Sequence, residues 1–212
     1  MWGAAILGFG TGEILAIVVA SSFAAGLNVY ATVATLGLLA RFGVLPLPPA
    51  LHPVETWPVI AAALVMFVIE LFADKVPGFD LIWNALHTFV RVPVAALLSY
   101  GATAQLSPGA QLAATALGGL IALASHGGKT AMRVAVTPSP EPISNIALSS
   151  GEDVIAIGLV WFATAHPVIA AVLVAAMLAI IVVLVRWVAS AFRYLFRGAR
   201  RQIDALEGSP DR

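Results

Sequence analysis

The chain has 212 residues, of which 60% are hydrophobic and only 10% charged, with zero net charge and a mean hydropathy of +0.97. Soluble domains carry roughly 25% charged residues, so this composition specifies an integral membrane protein, and the absent basic field argues against a nucleic-acid partner. There is no cysteine, which excludes disulfides, thiolate metal sites and cysteine nucleophiles.

At roughly 20 residues per span, the length suits an all-α protein of about six transmembrane helices, with seven as the alternative. Residues 1–165 and 166–201 are read as one polytopic domain, followed by a polar tail at 202–212 that is expected to fray. Met1-Trp2-Gly3 lacks a basic n-region and a small-residue cleavage site, so no removable signal peptide is expected.

Residues 4–43 are almost continuously apolar, interrupted by Glu13 and by the stretch from Ser21 to Asn28. They are too long for one straight span. They read either as one helix broken near Gly26 and Asn28 or as two spans joined by a tight turn. Pro46, Pro48, Pro49 and Pro53 mark a loop, because proline removes backbone donors and restricts its neighbours. Trp57 to Lys75 is the next span, and its far end carries Glu70 and Asp74 on one helix face. A Pro-Gly turn at 77–78 leads into Leu81 to Thr103, which contains His87 and Arg91 at helical spacing and is interrupted by Pro93.

Ala110 to Val136 begins as an ordinary apolar run and then reads Ser125-His126-Gly127-Gly128-Lys129. Paired glycines loosen a helix by about 1 kcal/mol each relative to alanine, so a break is expected at Gly127-Gly128. Such a break either lines a site or lies at the surface, with Lys129 and Arg133 in the headgroups. A proline-rich linker at 137–142 precedes a helix from Ile143 or Ser144 to Ala165, and His166-Pro167 turns the chain into a last span, Val168 to Val188. Arg186, Arg193, Arg197, Arg200 and Arg201 then place the C-terminus in the cytoplasm. Counting back through six spans puts Lys75, Lys129 and Arg133 on the cytoplasmic side and the loop 44–56 outside, with Arg41 dissenting.

The halves 4–103 and 110–188 each read as a broken span, an acidic span and a third span. Three spans per half would set the halves upside down relative to each other, as in the inverted repeats of many transporters. The strings SSFAAGLNVYATV (21–33), IELFADKVPGFDLIWNALHTFVRVP (69–93), ALASHGGKTAMR (122–133) and SPEPISNIALSSGEDV (139–154) resemble the bacterial membrane family known as domain of unknown function 4126. That resemblance implies a polytopic protein of the bacterial inner membrane and carries no substrate with it.

The chemistry must come from the polar residues inside apolar runs. Glu152 and Asp153 would each cost about 2.5–3.5 kcal/mol at a helix centre on insertion scales, so they need a cavity, a cation or a shared proton. Hard cations such as sodium, calcium or magnesium prefer such oxygen ligands, which makes this pair a candidate metal site. Ser149 and Asn145 extend the stripe by one and two turns. Glu70 and Asp74 form a second acidic pair, although Asp74 with Lys75 also fits a span end in the headgroups. An unperturbed imidazole titrates near neutrality, so His126 is a candidate proton carrier, or a hydrogen-bonded spacer. Asn28 is its counterpart in the first half. Lys129, Arg133 and Arg91 fit either an anionic headgroup or the acidic residues themselves.

These residues favour a secondary transporter or ion-conducting protein that holds a monovalent or divalent cation, or a proton, between two repeats. Its expected partners are the bilayer and a small ion or small molecule. One alternative is a membrane enzyme or lipid-handling protein with a His126/Lys129/Arg133 phosphate site; the other is a scaffold whose buried charges are structural. No nucleotide-binding loop, nucleophile elbow or zinc-protease motif is present, so enzymatic activity is the less favoured reading and no cofactor beyond a bound cation is expected. Gly118-Gly119 with Ala114 and Ala122 suits helix association and allows a homo-oligomer.

Overall fold

The computed structural model describes residues 9–74, 76, 79–136 and 142–207, with side chains except at 80–81, 134–136, 142–145, 191–192 and 195–207. Lys75 and the linker 137–141 fall outside them. Among the described residues every regular element is helical. In chain order these are α1 (Thr11–Leu27), α2 (Val29–Arg41), a 3-10 helix (Pro49–Glu55), α3 (Trp57–Ala73), α4 (Phe79–Ala102), α5 (Pro108–Val136), α6 (Pro142–Ala165) and α7 (Pro167–Glu207).

Local sequence explains most boundaries. Glu13 reaches back to the Gly10 backbone N–H at 2.7 Å and closes the start of α1. Proline occupies one of the first positions of α3, α5, α6 and α7, where its missing N–H is an orphan in any case. Pro93 sits inside α4 without ending it. Arg41, at the end of α2, lies over the Trp57 ring at 5.2 Å.

The apolar stretch 4–43 is divided at one residue. Asn28 is extended, with φ −149° and ψ 104°, between two helices. Its side-chain Oδ1 accepts from the Ala31 backbone N–H at 2.9 Å, so the asparagine that ends α1 also caps α2. The break expected at Gly127-Gly128 is absent: α5 is continuous from Pro108 to Val136. Glycine's cost in a helix is small against packing, and at Gly128 the missing side chain is what packing requires. A Cβ there would lie 2.8 Å from Ile181 Cγ1 on α7, whereas one at Gly127 would meet nothing within 4 Å. Gly26, too, lies inside a helix rather than at the break, and a Cβ on it would fall 2.4 Å from the Ala122 carbonyl oxygen of α5.

The last helix is longer than expected, since α7 runs through the presumed tail to Glu207. Among the described residues, three helical segments are long and apolar enough to cross a membrane: Pro108–Arg133, Ile146–Ala165 and Pro167–Ser190. A fourth arises if the 3-10 helix and α3, which meet at 59°, count as one bent span.

The centre is the crossing of α1 and α5. The final turns of α1, from Ala20 to Leu27, are wholly buried. Both α4 and α7 pack against α1 and α5, α6 lies on α1 and α2, and α3 rests on α2. Outside, the surface is apolar, with Phe72, Phe89, Val172, Val183 and Trp187 exposed.

Candidate functional site: a buried charge network at a helix break

Polarity is turned inward. Phe89 on α4 is 81% exposed, while Arg91, two residues on, and Arg133 are 0% exposed and Lys129 only 2%. The expectation that Lys129, Arg133 or Asp74 lies among lipid headgroups is therefore overturned.

The network is built around the end of α1. A helix end leaves carbonyl groups without partners and concentrates negative partial charge there. In lipid these groups must be satisfied by protein. Lys129 Nζ donates to Leu27 O at 3.1 Å, Ser125 Oγ donates to Phe23 O at 3.0 Å, and Arg91 Nη1 lies 3.5 Å from Gly26 O. Thus α4 and α5 bring cations to the negative end of α1.

Those cations carry carboxylates with them. Arg91 pairs with Glu70 of α3 through a short Nη2–Oε1 contact. Lys129 Nζ lies 2.7 Å from Asp74 Oδ2, 3.2 Å from Glu152 Oε2 and 3.7 Å from Glu70 Oε1. Arg133 Nη2 bridges Glu152 Oε2 at 3.0 Å and Asp74 Oδ2 at 3.3 Å, and its Nη1 donates to the Asp74 carbonyl at 2.8 Å. Asn84 of α4 ties the parts together, donating to Asp74 Oδ1 at 3.2 Å and accepting from Arg91 Nη1 at 3.1 Å.

Geometry settles the state of His126. Arginine only donates, so Arg91 Nη1 at 2.7 Å makes His126 Nδ1 an acceptor. The proton then sits on Nε2, which faces the Asn84 carbonyl at 3.0 Å and Thr88 Oγ1 at 2.8 Å. His126 is a neutral imidazole in this arrangement. His87 does not meet Glu70 or Asp74; its Nδ1 donates to the Trp83 carbonyl at 2.7 Å and its Nε2 lies 3.1 Å from Tyr30 Oη.

Asp153 stands apart. It is 6% exposed and makes no ion pair among the described residues. Its Oδ1 accepts from Asn28 Nδ2 at 2.8 Å, which places it at the N-terminal, positive end of α2. Its Oδ2, Glu152 Oε1, Glu70 Oε2 and the hydroxyl of the buried Ser149 have no hydrogen-bond partner among the described residues. The Asn145 side chain, expected to extend this stripe, lies outside the described residues. Among those residues no group of three or more His, Asp or Glu side chains is disposed to hold a metal ion.

Sequence reasoning missed Asn84 and Thr88. With His87 and Arg91 they follow the 0, 3, 4, 7 spacing of one α4 face, a period that would have revealed them.

Apolar outer faces around an interior of paired charges define a helical membrane protein. No curated protein and no solved structure matches this chain. It belongs to the family described as Domain of unknown function (DUF4126), whose sequence profile matches residues 15–187.

Proposed function

We propose that this protein is a small secondary transporter of the inner membrane, driven by a proton or a small cation that binds at Asp153. One observation carries the reading: a buried carboxylate without a cation partner sits at the break between two helices. An ionised carboxylate in that position is costly, so it takes up a proton or a cation. The joined ends of α1 and α2, one negative and facing cations, the other positive and facing Asp153, match how discontinuous helices build coupling sites in transporters.

The proposal includes six spans, a cytoplasmic C-terminus and two inverted repeats, α1–α4 and α5–α7. Support for the repeats comes from packing, since α4 and α7 each lie against both α1 and α5. The unbroken α5 limits the symmetry to the overall plan.

A phosphate-binding lipid enzyme is less well supported, because Arg91, Lys129 and Arg133 are all engaged with carboxylates. Those same pairs favour a second reading, in which the network is a structural clasp of a scaffold protein. Ion flux in sealed liposomes separates the two. A pH dye and a panel of monovalent and divalent cations should report flux in the wild type, reduced about tenfold or more in Asp153→Asn. Flux unchanged in Asp153→Asn and in Glu152→Gln would remove the site assignment, and no flux with any ion would favour the clasp.

A further inference from the structure

A cleft of about 370 Å³ lies between α1, α5, α6 and α7, walled by Phe23, Leu27, Met132, Met177 and Ile181. Its size falls within the range of roughly 300–1,000 Å³ typical of small-molecule sites. Two ionisable side chains, Lys129 and Glu152, reach the wall. Ile180 lines the cleft and is also exposed on the outer face, so the cleft opens to the side of the helix bundle.

We infer that this cleft binds a lipophilic organic ammonium, and that such a compound is the substrate class of the transporter. The spare hydrogen-bonding capacity decides the sign of the head group. Lys129 carries three N–H donors, and its Nζ already faces Leu27 O, Asp74 Oδ2 and Glu152 Oε2. Glu152 Oε2 receives both Lys129 and Arg133, but Glu152 Oε1 has no partner among the described residues. Among the described residues, what remains unfilled on a side chain of the cleft wall is therefore a carboxylate oxygen. A phosphate or carboxylate head would face Glu152 with no donor to receive it, whereas an ammonium supplies the missing donor to Oε1. The alkyl body fills the apolar walls.

This inference rests on the transporter reading, but its test needs no gradient. The full chain in nanodiscs is titrated with radiolabelled dodecylammonium, with empty nanodiscs subtracted, against dodecanol and dodecyl phosphate as competitors. Saturable binding is expected, weakened about tenfold or more by Glu152→Gln, since a charged hydrogen bond is worth that much. Ile181→Trp, which fills the cleft and leaves every charge in place, should weaken it as well. Absence of saturable binding overturns the inference, as does equal competition by dodecyl phosphate, or by dodecanol, which would mark the cleft as a seat for bilayer lipid. Wild-type affinity in both variants also overturns it. Each of these results leaves ion flux through Asp153 to be judged by the liposome assay.

Discussion

Arg91 shows how a single side chain is held in a membrane interior. Its guanidinium meets Glu70, the Asn84 amide oxygen and the His126 ring, so its charge and several of its donors are answered. Removing one partner of a buried pair costs about 3–5 kcal/mol, because the survivor is left uncompensated, while replacing both by apolar groups is often neutral. Arg91→Leu should therefore lower stability by about that amount, and Glu70→Leu added to it should restore most of the loss. Unfolding in mixed micelles measures both. A double variant no more stable than the single one would mean that Arg91 acts through His126 or Asn84 rather than Glu70. The carboxylates were legible in the sequence because each interrupts an apolar run. Arg91, Lys129 and Arg133 were legible as partners for these carboxylates, but which cation meets which carboxylate was not, since Lys129 finds Asp74 and Arg133 finds Glu152 only through the crossing of separate helices.

At the scale of elements, two glycines that look alike in sequence behave differently in space. A Cβ on Gly26 would lie 1.8 Å from Ser125 Oγ and 2.4 Å from a backbone carbonyl, and the backbone cannot yield cheaply. Gly127 faces open space. Gly26→Ala should thus cost about 1–3 kcal/mol as overpacking between α1 and α5. Gly127→Ala should gain up to about 1 kcal/mol from helix propensity. Thermal unfolding in detergent distinguishes them, and equal tolerance would contradict the close crossing. The same contrast explains why a break was expected in α5 and not found: propensity disfavours the glycine pair, but contact with Ile181 rewards Gly128. Asn28, by contrast, was legible as a break, because its side chain can cap a new helix and serve a buried partner together.

For the whole molecule, polarity is reversed relative to a soluble domain, with charged groups at the centre and aromatic and aliphatic groups outside. The proposed topology makes a direct prediction. Because the chain has no cysteine, single introduced thiols can be read without background. Val44→Cys, in the exposed loop after α2, should react with an impermeant maleimide only from the outside, and Tyr194→Cys, exposed on α7, only from the cytoplasmic side. Labelling of both from one side would exclude the six-span arrangement. The number of spans was less legible than the class of protein. Composition is set by the solvent around the chain, whereas span count depends on how short helices such as α1 and α2 sit in the bilayer.

The joint at Asn28 has a mechanical consequence. The 13 residues of α2 make a rod about 20 Å long at 1.5 Å per residue. Pivoting it by about 10° at that one residue carries its far end, where Arg41 rests on Trp57, through roughly 3 Å. The amide that grips Asp153 sits on the pivot itself, so a small rotation at the carboxylate would be levered into a displacement of atomic size at the opposite end of the rod.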